Sequence, residues 1–197
     1  MIPVNKWNEL RSRLKGDLFT GDSMRLLYAT DASAYRELPA GVCRPKDEDD
    51  LRLLIDFAAK MQIPLIPRTA GTSLAGQVVG SGLVVDVSKY MTEVIELNVE
   101  EHWVRVQPGV VLDELNKIVE PYGLFFGPET STSNRCMIGG MVGNNSCGSH
   151  SLVYGSTRDH TLEIKALLSD GSAATFGPLS PEAFNEKCAL GNLEGKI

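Results

Sequence analysis

The sequence predicts a mixed α/β fold arranged as two lobes. Three observations predict it. A helical pattern feeds two short apolar runs on either side of "PRTAGTSLAGQ". A pair of alternating runs precedes a second helical pattern. Each half also holds one long segment rich in glycine and hydroxyls. The lobes are expected at residues 42–97 and 98–177, after an N-terminal helix and extended arm over 1–41. Residues 178–197 would begin a further segment.

Over 5–14, Trp7, Leu10 and Leu14 recur at helical spacing. The stretch "LLYATDASAYRELPAGVCRP" mixes apolar residues with turn formers and reads as extended chain and loop. After Pro45, "KDEDDLRLLIDFAAKMQ" puts acids in a first turn, where the helix dipole favours them. Leu51, Leu54, Ile55 and Ala58 then share one face. "IPLIPR" and "GLVVDVSKY" read as short strands. "TEVIELN" and "HWVRVQPG" alternate as two antiparallel strands around a turn at "VEE". "VVLDELNKIVEPYG" is a helix with Leu112, Leu115, Ile118 and Val119 as its stripe and Gly123 as its stop. Asp170–Gly171, between two strand-like runs, predicts a hairpin. "PEAFNEKCALGNLEGKI" keeps a helix-like pattern toward its last residue, so a fragment of a larger protein is expected.

The chain is 197 residues long, 43% hydrophobic and 22% charged, with a formal charge of -6. These values suit a globular protein, and the negative balance argues against duplex nucleic acid as a partner. No apolar run approaches the roughly 20 residues of a membrane span, and the N-terminus lacks a secretory pattern. Cys43, Cys136, Cys147 and Cys188 show no C-x-x-C spacing. No metal site is expected, and reduced thiols in a cytoplasmic protein are.

"PRTAGTSLAGQ" is longer than a strand connection requires. Glycines permit close approach, and successive backbone amides can converge on an anion. Thr69, Thr72 and Ser73 add hydroxyls, and Arg68 puts a cation at the rim. Gly71 and Gly76 have P-loop spacing, but Gln77 and Val78 replace its lysine and hydroxyl. G-x-G-x-x-G is absent too, which excludes the usual dinucleotide fingerprint. The second segment, "GPETSTSNRCMIGGMVGNNSCGS", joins a rigid Pro128 to hydroxyls, a glycine pair and the amides of Asn144 and Asn145. Two such loops in one chain suit a shared, extended, phosphate-bearing ligand.

Three stretches, in order, carry a resemblance: "PRTAGTSLAGQ", "VQPGVVLDELNKIVEPYGLFFGPETSTSNRCMIGGMVGNNSCG" and "YGSTRDHTLEIKALLSDG". Together they resemble the FAD-binding domain of the vanillyl-alcohol oxidase (PCMH) type. The nearest branch is the FAD-linked D-lactate, D-2-hydroxyglutarate and glycolate dehydrogenases. The resemblance covers roughly residues 25–177 and implies an α+β fold of two α/β lobes with FAD in the groove between them, incomplete at the C-terminal end. It implies that Arg68, Thr69, Ala70, Gly71, Thr72, Ser73, Gly76 and Gln77 form the diphosphate loop. Pro128, Thr130, Ile138, Gly139, Gly140, Asn145 and Gly148 would line the other side.

The implied reaction moves the C2 hydride of a 2-hydroxy acid to flavin N5, and a quinone, cytochrome or other carrier takes the electrons. Thr72 stands where some relatives place a flavin-bonding histidine, so noncovalent FAD is expected. The segment that completes the FAD domain and the substrate cap are missing. Catalytic residues are therefore expected beyond residue 197, and the isolated chain should bind FAD weakly or not at all and be inactive. Two other readings stay open: a cell-wall-precursor type reductase using NADPH on the same fold, and a noncatalytic module binding a phosphorylated ligand or a protein. Asp31 and Asp159 suit capping or solvated roles better than a catalytic pair. His102, His150 and His160 are scattered and suit structural roles better than that of a general base. Arg158 suits an ion pair or a ligand contact, and Tyr154–Gly155 suits backing the flavin or packing.

Overall fold

A computed structural model describes residues 2–197. Helix α1 (Val4–Arg13) buries Trp7 and Leu10. Strand β1 (Asp17–Phe19), helix α2 (Asp22–Leu27) and strand β2 (Gly41–Arg44) follow. Helix α3 (Glu48–Met61) starts where Asp47 accepts from the Asp50 amide, with Glu48, Asp49 and Asp50 at the positive end of its dipole. Strands β3 (Leu65–Arg68) and β4 (Leu83–Asp86) complete a sheet of order β1-β2-β4-β3. Strands β2 and β3 run parallel to β4, and β1 runs antiparallel to β2. Every residue of β4 is buried, as the central strand of a covered parallel sheet requires.

The N-terminal arm does not stand apart from this sheet. Trp7, Leu10 and Leu18 share one apolar core with Cys43, Leu54, Phe57, Leu83 and Val85. The expected boundary at 41/42 therefore cuts through a packed unit. Asp50 explains the attachment: its buried carboxylate accepts from the amides of Lys15, Gly16 and Lys46, each at 2.9 Å. The stretch expected as loop around 26–45 holds the end of α2 and all of β2. Neither shows a period, because α2 buries nothing and β2 buries three residues in a row.

Strands β5 (Val94–Asn98) and β6 (Trp103–Val106) form the expected antiparallel pair. Helix α4 (Leu112–Val119) buries Leu112, Leu115 and Val119 and passes into a 3-10 turn that ends at Gly123, φ 71°. Ile118, expected in the stripe, is 44% exposed. Helices α5 (Ile138–Asn144) and α6 (Ser151–Tyr154) precede the hairpin of β7 (Ile164–Leu167) and β8 (Ala173–Phe176). Gly171 takes φ 81° in the Asp170–Gly171 turn. Helix α7 (Pro181–Cys188) is capped by Ser180. A second core joins Val110, Leu112, Leu115 and Val119 to Cys136, Ile138 and Met141, with the β5–β6 pair packed against it.

Candidate functional site

The first loop leaves β3 at Arg68, whose carbonyl accepts from the Val87 amide at 3.0 Å. Gly71 and Gly76 take left-handed φ values of 67° and 72°, which side chains disfavour. Ser73 Oγ donates to Gln77 Oε1 at 2.7 Å and accepts from the Ala75 and Gln77 amides. Its hydroxyl thus braces the loop itself. Among the described residues no acceptor meets the amides of Gly71, Thr72, Ser73 or Leu74. Four successive free donors in a glycine turn are left available to an anion at the cleft.

The second loop is fastened to the start of α4. Leu112 N donates to Cys136 O, Ile138 N to Val110 O and Gly139 N to Pro108 O, at 2.9–3.1 Å. This ladder brings the glycine pair against the first loop. A Cβ on Gly140 would collide with Thr69 Oγ1, and one on Gly139 with Pro108. Gln77 Nε2 then donates to Asn144 Oδ1 at 2.8 Å. The glycines therefore admit protein to protein, where the sequence suggested they admit ligand.

The two loops border a single cleft of about 1820 Å³. Arg68 to Ser73 and Gln77 face Thr130, Gly139 and Gly140 across it. The other expected residues lie outside its lining. Gly76 abuts the Tyr35 ring, Pro128 is fully buried, and Ile138 belongs to the second core. Asn145 accepts from the Arg158 amide at 2.9 Å, and Gly148 presses on the Glu129 carbonyl. Sequence reasoning missed Thr30, Asp31, Gly143, Cys147 and parts of the β7–β8 hairpin as lining, while Asn144, singled out in the second segment, lines it. Asp31-x-Ser33 carries a legible turn signal, since Asp31 Oδ1 accepts from Ser33 N at 2.9 Å. Asp31 Oδ2 is buried and has no partner among the described residues.

Charge in the cleft suits an anion. Arg68, Arg135 and Lys165 line it against Asp31 and Glu48, a locally positive balance in a chain of formal charge -6. Arg68 does not reach outward, however. Its Nη1 donates to Thr30 O at 2.9 Å, and its guanidinium lies over the Tyr28 ring, 5.1 Å from the centroid. The histidines are elsewhere. His150 Nδ1 is 2.5 Å from Glu129 Oε2, and His160 Nε2 is 2.5 Å from Tyr154 O. His102, expected in a strand, sits in the turn before β6 at φ 57°. Asp159 caps Ser156, whose backbone and hydroxyl donors hold its carboxyl below the usual range. Tyr154 packs on Gly127 and the Phe125 ring.

These residues fit a long ligand with a diphosphate at the free amides and apolar surface further along. A family model described as an FAD binding domain matches residues 39–177. The chain belongs to the FAD binding domain family. FAD is the cofactor of this domain. The chain is 40% identical over 189 residues to a D-2-hydroxyglutarate dehydrogenase of Pseudomonas putida, covering 94% of this chain and 19% of that protein. A D-2-hydroxyglutarate dehydrogenase of Escherichia coli is 42% identical over 92% of this chain and 18% of its own length. The glycolate oxidase subunit GlcD of Bacillus subtilis is 32% identical over 78% and 33%. The chain thus spans about a fifth of the dehydrogenases it matches.

Among solved structures, an alkyldihydroxyacetonephosphate synthase superposes with a TM-score of 0.78 at 18% identity, covering 94% of this chain and 40% of that one. Xylooligosaccharide oxidase from Myceliophthora thermophila C1 gives 0.73 at 22%, covering 87% and 37%. At such identities the likeness concerns the fold, which is the expected α+β arrangement of two lobes. No helix among the described residues is long and apolar enough to cross a membrane.

Proposed function

We propose that this chain is the FAD-binding portion of a flavin-dependent dehydrogenase that oxidises a 2-hydroxy acid, with D-2-hydroxyglutarate the first candidate. The observation that carries the proposal is the meeting of two distant loops on one cleft, with four free amides at its edge. The relatives' names supply the substrate class. Bound FAD supplies a two-electron acceptor for the C2 hydride. The chain's own residues have a narrower task. The amides of Gly71 to Leu74 hold the diphosphate, the positive lining offsets its charge, and the apolar lining keeps water from the ring system. No histidine lines the cleft, so no residue of this chain is assigned the substrate's hydroxyl proton. FAD is held noncovalently, since Thr72 offers no ring nitrogen at the loop. A separate electron carrier completes the turnover, and the setting is cytoplasmic, where its four free thiols stay reduced.

Titration of the chain with FAD, followed by flavin fluorescence, tests the binding step. Weak but saturable binding, with all flavin released by acid precipitation, is expected. Absence of saturable binding both here and in the longer polypeptide carrying this segment contradicts the FAD role, and flavin retained in the pellet contradicts noncovalent attachment. For the reaction, the longer polypeptide carrying this segment should lose its visible flavin band anaerobically with D-2-hydroxyglutarate or D-lactate. Bleaching by NADPH alone would replace this proposal with the reductase reading.

A further inference from the structure

One cluster beside the cleft remains unused by the reading above. Asp86 ends β4 and is 3% exposed. Its Oδ1 accepts from Ser88 N at 2.8 Å, and its Oδ2 accepts from the Tyr28 hydroxyl at 2.5 Å. Arg44 Nη2 and Nε donate to the same hydroxyl at 2.8 and 3.1 Å. The Tyr28 ring is thereby fixed at the end of the parallel sheet. Arg68 lies over that ring at 5.1 Å, within cation–π range, and Arg44 approaches it at 5.8 Å. Arg68 Nη1 also spans to Thr30 O, and its Nη2 fills the space where a Cβ on Gly71 would sit. The guanidinium is thus a flat support directly beneath the turn that presents the free amides.

We propose that Tyr28 is the positioning residue of the diphosphate loop: it holds the Arg68 guanidinium under Gly71, so that Arg68 shapes the loop and acts on the diphosphate by its field from behind. This inference rests on the FAD reading. It assigns Arg68 a different task from the direct phosphate contact suggested by sequence. Lysine cannot perform that task, because a point charge on a flexible stem cannot lie flat between a ring and a turn.

The test compares Tyr28→Phe, Tyr28→Leu and Arg68→Lys in the longer polypeptide carrying this segment, titrated with FAD, ADP and riboflavin. ADP carries the diphosphate without the flavin ring, and riboflavin carries the ring without phosphate. Tyr28→Leu and Arg68→Lys should weaken FAD and ADP by the same factor, about tenfold, and leave riboflavin unchanged. Tyr28→Phe keeps the ring under Arg68 but loses the hydroxyl that Asp86 and Arg44 hold, so it should show a loss smaller than that of Tyr28→Leu. Thermal unfolding confirms that each variant is folded. Should Tyr28→Leu fail to fold, Arg68→Lys carries the test. Unchanged FAD affinity in the folded variants, or a loss for FAD without one for ADP, overturns the inference alone. If the unsubstituted longer polypeptide binds none of the three, the FAD reading falls and this inference with it.

Discussion

Cys43 lies fully buried in β2, and burial, reinforced by Asp50 and Asp17, pushes its thiol up to about 12. The unfolded chain releases that proton near the ordinary thiol value of about 8.5. Below that pH both states hold the proton and stability is intact. As pH climbs from there toward the folded value, the unfolded state sheds its proton first and stability falls, by up to about 1.4 kcal/mol per pH unit. Urea unfolding across this range should show the decline, and Cys43→Ala, less stable at neutral pH, should show a shallower one. Equal alkaline slopes would remove Cys43 as the cause. This burial is not legible in the sequence, since "GVC" falls in a stretch that reads as extended chain and loop. Nor is the partner of Arg68. A guanidinium can reach many acceptors, and Tyr28 stands forty residues away in a stretch that reads as loop.

Among the elements, those long enough to complete a period were readable: α1, α3 and α4 follow their apolar spacing, and the β5–β6 pair forms where expected, although a bulge between Val94 and Glu96 breaks its alternation. Strand β1 has three residues and α2 six, too short for a pattern to repeat. Helix α5 shows a subtler limit, because its glycines look alike in sequence and differ in surroundings. At Gly140 a Cβ would strike Thr69 Oγ1 in the facing loop; at Gly143 it would meet nothing within 4 Å. Gly143→Ala should therefore stabilise the chain by about 0.4–1 kcal/mol through the helix and the unfolded state. Gly140→Ala should destabilise it by about 1–3 kcal/mol, the cost of overpacking α5 against the Thr69 side chain of the facing loop. Chemical denaturation of both variants checks the pair, and a gain for Gly140→Ala would show that the loops do not press on each other.

The whole molecule holds two cores that share no residue, one under the parallel sheet and one around α4 and α5. Few polar ties cross between them: Gln77 to Asn144 at 2.8 Å, and Arg52 to the Gly171 carbonyl of the hairpin. Two side-chain hydrogen bonds, one exposed and one part-buried, contribute little against water, so each core should open largely on its own. The cleft lies between them and draws its lining from both. A ligand that fills it binds only when both cores are closed, and it stabilises each by the same linkage free energy. At a hundredfold excess over its dissociation constant that is about 2.7 kcal/mol. Hydrogen exchange should register this at Leu83, whose amide donates to Pro64 O, and at Leu115, whose amide donates to Val111 O, both at 2.9 Å. Without FAD the two amides should show different protection. With FAD both should slow by about a hundredfold. Slowing confined to Leu83 would mean that the dinucleotide rests on the first loop alone, and the second loop would then be a packing element of its own lobe.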